Sequence, residues 1–269
     1  MYAGTTFTKV SGSLIGAHQK IDRVARKHLE LLVPDCDFPD TKSILHFEGN
    51  KGPDSIKRKS PAKDEPWHYF IPEDLNDTEL LDLINNHYKE LVKSLKSNNK
   101  TRSAFEAAWL AHAIVDGLTP AHQYPYADEL SKLRNGEGKE TRDSIKKKLI
   151  MPGESGGERL KNNWKMWGPK GLFSTHLAFE LGVATIIAPL TFSDTLPSEE
   201  FIESLSNADL NDWFRDVARS VADLSIYEEF YAKGWTVKLS HKVKEELVPI
   251  IINSVTTVWL IAYKEANNI

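Results

Sequence analysis

One cysteine, Cys36, is all the sulfur chemistry this 269-residue sequence offers besides its three methionines. That excludes an internal disulfide framework and any cysteine-built zinc finger. A bound metal would have to be held by imidazole nitrogen and carboxylate oxygen. Glycine and proline are modest, at 15 and 13, beside 41% hydrophobic residues. Collagen-like, low-complexity and wholly disordered chains are excluded by that balance. A surplus of positive charge is lacking as well, since 34 Lys and Arg face 38 Asp and Glu for a net charge of −4. The chain as a whole is therefore not drawn to nucleic acid or anionic lipid, although a local basic patch could still act that way.

Long hydrophobic runs are also missing. The first twenty residues contain no sustained apolar core of the kind a secretory signal needs, which points to a cytoplasmic protein, or to a secreted one whose leader has already gone. The most apolar stretch, Leu247 to Tyr263, is interrupted by Pro249, Asn253, Ser254, Thr256 and Thr257. It reads as a buried helix rather than a bilayer span, so the expectation is a soluble protein without an integral membrane segment. Nothing in the sequence sets the oligomeric state.

What is present is helical periodicity, and alternating strand patterns are scarce. Apolar positions recur every three or four residues from Ala17 to Leu32, where Pro34 prevents continuation. Residues 35–75 show no period and read as a long irregular segment. A second helix is expected over about 78–95. A third is expected from Ser103-Ala-Phe-Glu106, a capping-box pattern, to about Asp116. Further helices are read at about 173–187, 198–206, 209–232 and 240–265. The fold class is all-α, a single domain over 1–269 with an exposed insertion at 123–171. The Lys146-Lys147-Lys148 run in that insertion reads as a solvated face, and its Tyr126, Trp164 and Trp167 either cover the cleft and shape substrate choice or, the favoured reading, pack the insertion onto the core.

Nine histidines stand beside that one cysteine. The sharpest segment is His112-Ala-Ile-Val-Asp116-Gly-Leu-Thr-Pro-Ala-His122. On a helix His112 and Asp116 project from one face, close enough to share a cation. Gly117 and Pro120 then end the helix, so that His122 can turn back to the same place. A second apolar helix offers His176-Leu-Ala-Phe-Glu180 at the same spacing. One such pair alone usually marks a surface hydrogen bond. Both pairs here lie in apolar helices, where an unpaired buried carboxylate is costly and a cation is a sensible partner. Zinc suits this ligand set, with iron or manganese as alternatives.

Taken together the pattern resembles the zinc-dependent phospholipase C and S1/P1 nuclease family. Its central motif, His-x3-Asp-x5-His with Pro two residues before the last His, is matched by His112, Asp116, Pro120 and His122. The later His-x3-Glu is matched by His176 and Glu180. Upstream, Asp54 precedes His68 by the family's interval, and His18 heads the first helix. The resemblance implies an all-α fold around two or three Zn2+ ions. Asp54, His68, His112 and Asp116 would hold one ion, and His122, His176 and Glu180 its neighbour. Asp116 would bridge to a third ion that also binds His18.

The reaction implied is phosphate ester hydrolysis by a metal-activated hydroxide, with Asp54 as the catalytic residue that orients or deprotonates the water. Substrates would be phosphodiesters, either a phospholipid head group or a soluble ester. A single-strand nuclease of the S1/P1 type, and a metal-binding interaction protein without turnover, are the alternatives. Asp64 is a weaker rival for the place of Asp54. Ile56-Lys57-Arg58-Lys59 could attract a substrate phosphate. Two features depart from the family. Its third ion is completed by an N-terminal Trp, whereas here seventeen residues without Trp precede His18, so that site is expected to be absent, weak or completed by another group unless processing creates a terminus near Thr5. The interval from His122 to His176 is also long. The remaining histidines, His28, His46, His87 and His241, read as ordinary packed or solvated side chains.

Overall fold

Apolar residues every third or fourth position build the first helix, Ala17–Leu32 (α1), and Val33 leaves the helical region ahead of Pro34. The computed structural model describes residues 1–2, 16–48, 51–59, 61–62 and 66–269. Among these residues every regular element is helical and no strand occurs, so the chain is all-α as expected. Asp64, Thr5 and the side chains of Lys57, Arg58 and Lys59 lie outside the described residues.

The segment 35–75 departs from the irregular loop expected of it. It contains two short helices, Thr41–Glu48 (α2) and Pro53–Lys59 (α3). Helices this short carry too few turns for a period to stand out, and tertiary packing holds what propensity alone would not. The next helix, Glu79–Lys96 (α4), forms where the periodicity puts it. Lys100–Gly117 (α5) begins three residues earlier than the Ser103 capping pattern suggests. Asn99 takes the cap, its side-chain oxygen accepting from the Arg102 backbone N–H. Ser103 is then inside the helix, where its hydroxyl donates to the Asn99 carbonyl, and Glu106 turns to His87 instead of back to the helix start.

The region 123–171 contains Tyr126–Leu133 (α6), Ile145–Leu149 (α7) and Gly156–Trp167 (α8). It has a small apolar cluster of its own, in which Tyr126, Met151 and Met166 pack with Tyr69, Leu172 and Phe173. The expectation for its aromatics is met only in part. Tyr126 is buried, the Trp167 indole donates to the Leu149 carbonyl, but Trp164 projects into solvent, 68% exposed.

Leu172–Ile187 (α9) and Glu199–Ser206 (α10) follow. The helix expected over 209–232 is broken into Leu210–Ala222 (α11) and Ile226–Lys233 (α12) by Ser225 in the left-handed region, φ 50°. The break turns Tyr227 and Phe230 onto Phe179 of α9. The last helix starts at Val237, capped by the Thr236 hydroxyl, rather than near 240. It runs as Val237–Lys242 (α13), a π-helical stretch Val243–Leu247 and Val248–Asn267 (α14). The wide π turn ends two residues before Pro249, which has no N–H to give and whose ring crowds the preceding turn. Residues Val237–Asn267 are long and apolar enough to cross a membrane, yet two thirds of their most apolar window is buried in the protein.

At the centre lies α5, enclosed by α1, α2, α4 and α14. Ala104, Ala107, Ala108 and Ala111 keep it thin enough to be surrounded, and Trp259 of α14 seals against it by donating to the Ala107 carbonyl at 3.1 Å. The consequence for function is direct. His112 and Asp116, at the C-terminal end of this helix, are placed in the interior of the protein.

Candidate metal centre

Asp116 is the hub of the site. The apolar burial of α5 carries it inward, and Gly117 lets the helix end approach α11 and α4. A Cβ at Gly117 would meet Phe214 Cζ at 2.6 Å and Leu80 Cδ2 at 2.7 Å. The chain then turns through Pro120–His122, a single 3-10 turn, which returns His122 to the neighbourhood of Asp116 as the sequence predicts. One backbone and one side-chain bond fix the turn to the segment carrying His68: Phe70 N–H donates to the His122 carbonyl, and His122 Nδ1 lies 2.8 Å from the His68 carbonyl.

All eight residues singled out from the sequence converge here, although they come from positions 18 to 180. Asp116 Oδ2 lies 2.5 Å from His68 Nδ1 and 3.1 Å from His112 Nε2. Its other oxygen lies 3.3 Å from His18 Nε2 and 3.4 Å from His122 Nδ1. Asp54 Oδ1 lies 3.9 Å from His112 Nε2. On α9, Glu180 Oε1 lies 2.9 Å from His122 Nε2 and 3.1 Å from His176 Nε2, with the two imidazole rings stacked 5.0 Å apart. Two metal-sized groupings result, Asp54 with His68 and His112, and His122 with His176 and Glu180. Asp116 joins them.

Three groups in the site are absent from the sequence reading. The first is the α-amine of Met1, buried 2.8 Å from Asp116 Oδ1 and 3.4 Å from Glu180 Oε1. The Ala17 N–H donates to the Tyr2 carbonyl, pinning the terminus to the head of α1 beside His18. Of the outcomes open for this side, an absent or weak site or one completed by another group, the Met1 amine fits the last. The second is Glu48, fully buried at the end of α2, which accepts from His112 Nδ1 at 3.0 Å and lies 3.8 Å from His18 Nδ1. With His18 and His112, whose rings stack 4.1 Å apart, it forms a third grouping of ligand-type side chains. The third is Asp22, one turn along α1 from His18 and buried. His18-x3-Asp22 repeats the spacing of the other two pairs and was available as a signal. Glu48 had none, because its segment has no period.

The electrostatics are those of a site short of positive charge. Burial alone would raise the carboxyl of Asp116, but the Met1 amine and His122, His112 and His18 outweigh it and hold Asp116 well below the usual range. Glu180 is depressed in the same way against its own burial, by the amine, His176 and His122. In return, despite burial, Asp116 and Glu180 push the Met1 amine up to about 10. His112 is raised because Glu48 and Asp116 overcome its burial, whereas burial brings His122 down to about 4. Burial and Glu48 together drive Asp22 well above its ordinary value. Protons on Met1 and His112 thus occupy the place a cation would take. The buried His18 Nε2 and His112 Nε2 face carboxylate oxygens without making a hydrogen bond. Imidazole nitrogens so disposed, with carboxylates opposite, fit a zinc-type ion.

The site has an aromatic wall. Tyr69 stacks on Tyr126 at 5.1 Å, and these rings lie 5.3 Å from His122 and His176 respectively. The insertion supplies Tyr126 and braces the His68 segment, with Lys139 over the Trp67 ring and the Ala62 N–H on the Arg142 carbonyl. The other histidines lie apart in ordinary roles: His28 on the Phe192 carbonyl, His87 on Glu106, and His46 and His241 on exposed partners. Compared with protein-family models and with curated proteins, the chain matches none.

Proposed function

We propose that the chain is a zinc-dependent phosphoric ester hydrolase, a phosphodiesterase of the phospholipase C type, related to the family its motifs resemble. The observation that carries this reading is the convergence of His18, Asp54, His68, His112, His122, His176 and Glu180 on one site, with four of the imidazoles on the carboxylate of Asp116 and the rest linked to it through His112 and His122. Asp54, His68, His112 and Asp116 would hold one ion, and His122, His176 and Glu180 a second. Asp116, His18 and the Met1 amine would hold a third, the amine standing where the family uses its terminal Trp.

When bound, such ions polarise a phosphoryl oxygen and acidify a water to near neutrality. The rest falls to side chains. Asp54 is the most exposed carboxylate of the set, its side chain 27% exposed against 11% for Glu180 and 2% for Asp116. It is therefore placed to take the proton of an attacking water and return it to the leaving oxygen. Glu48 accepts from His112 Nδ1 and so turns Nε2 toward Asp116, an arrangement that fixes tautomer and ring together.

The Tyr69–Tyr126 stack supports one alternative, a single-strand nuclease, because paired rings beside the reacting phosphate suit a nucleobase. The test is zinc analysis of the purified protein together with hydrolysis of an aryl phosphodiester. Two or more zinc per chain, and turnover abolished by Asp54→Asn, sustain the reading. Fewer than two zinc with no hydrolysis on adding zinc defeats it. Short-chain phosphatidylcholine against single-stranded DNA then separates lipase from nuclease.

A further inference from the structure

The region 145–170 carries seven Lys or Arg against two Asp or Glu, a net +5 inside a chain of net −4. Its charge is arranged around apolar side chains that face solvent. On α8, Leu160, Trp164 and Trp167 follow each other at helical spacing along one stripe, with Leu160 73% exposed. Asn162 and Met166, on the opposite side of the same helix, are buried. Lys161 and Lys165 flank the stripe on one side and Arg159 on the other. The Trp167 indole ties the end of α8 to Leu149, so the stripe continues into α7 and the exposed Ile145, Leu149 and Ile150, beside Lys146 and Lys147.

We infer that this face of α7 and α8 is a docking surface for an anionic lipid bilayer. An apolar stripe edged by lysines lies in the plane of a membrane interface, its Trp and Leu among the acyl boundary and its cations at the headgroups. Aliphatic side chains make up most of the stripe, and they do not stack on nucleobases, which favours lipid over nucleic acid. The surface is also coupled to the metal centre. Trp167 packs on Phe173 at 4.8 Å, and α8 packs on α9, which presents His176 and Glu180 from its buried side. A bilayer held at α8 is therefore joined to that ligand pair through directly packed helices. The docking itself is independent of catalysis, while its use in presenting substrate rests on the phospholipase reading.

The test is co-sedimentation of the full chain with vesicles of phosphatidylcholine alone and with added phosphatidylserine, read also by Trp fluorescence. Binding is expected to need phosphatidylserine, to fall with salt, and to weaken about fivefold for each lysine charge removed. Lys161→Gln/Lys165→Gln should lose most of it, and Leu160→Ser/Trp164→Ser should lose it with the far-UV circular dichroism unchanged. Equal binding by wild type and both variants, or no binding at all, overturns the inference. Tighter binding of single-stranded oligonucleotide, or conversion of a dimer to a monomer by Leu160→Ser/Trp164→Ser, overturns it too, by assigning the face to another occupant. Hydrolysis of a dispersed short-chain substrate is measured in parallel. Turnover without vesicle binding sinks the docking surface alone, and vesicle binding without turnover sinks the catalytic reading alone.

Discussion

The α-amine of Met1 lies 2.8 Å from Asp116 Oδ1, across 115 positions of chain. Both groups are buried, so neither charge is tolerable without the other. The contact joins the head of α1 to the end of the central helix. It also completes the side of the site that holds His18.

Lengthening the chain before Met1 tests this contact. A short Gly-Ser extension replaces the amine by a peptide that carries no charge, leaving Asp116 opposed by histidines alone. The expected result is a loss of stability of about 3 kcal/mol, together with one zinc fewer per chain. An extension after Ile269 serves as control, and equal melting temperatures and zinc contents for the two lengthened chains would contradict the role given to the amine.

Asp116→Asn should affect every part of the centre, because both carboxylate oxygens are used. Metal affinity should fall more than about a hundredfold, beyond what loss of an outer-shell partner causes. Competition with a chromophoric chelator measures it. Retention of wild-type stoichiometry would remove Asp116 from the hub.

Glu48→Gln isolates orientation from ligation. The neutral amide cannot take the His112 Nδ1 proton as a carboxylate does, so His112 is held less firmly in the tautomer that leaves Nε2 for the metal. Affinity at that site should drop about 10–100-fold. The cobalt-substituted protein offers a second readout, since a changed ligand field reports a moved imidazole even where activity survives.

Gly117→Ala probes the close approach behind Asp116. Its new methyl would press on Phe214 and Leu80, at a cost of about 1–3 kcal/mol. Calorimetry should find the melting temperature lowered. An unchanged value would mean that the helix end has room that the geometry denies.

His28 gives a pH dependence away from the candidate metal centre. Burial, helped by Lys27 and opposed by its bond to the Phe192 carbonyl, holds the imidazole below its usual value. The unfolded chain therefore binds this proton more readily than the folded one. The stabilising contribution is full above the unfolded value, about 6.5, and is lost as pH falls through the folded value. His28→Gln keeps a donor for Phe192 but does not titrate, so its melting temperature should fall less than the wild type's between about pH 7 and 5.

Periodicity and spacing were enough to bring out the helical class, the inward turn after Gly117, and both i,i+4 pairs, because these are local properties of a helix. His18-x3-Asp22 was equally local and equally legible. The early start of α5 was legible only in retrospect: two candidate caps compete within five residues, and Asn99 takes the donors before Ser103 can. Glu48 was invisible for a different reason. Its helix is too short to show a period, and it is held by packing on α5.

The sequence by itself determined that any metal here must be held by nitrogen and oxygen, and that His112, Asp116, His176 and Glu180 would sit at matched positions on apolar helices. Only the tertiary structure decided that one carboxylate would stand among four imidazoles and a terminal amine. That outcome depends on which helices close around α5, and burial then forces opposite charges together because each is costly alone.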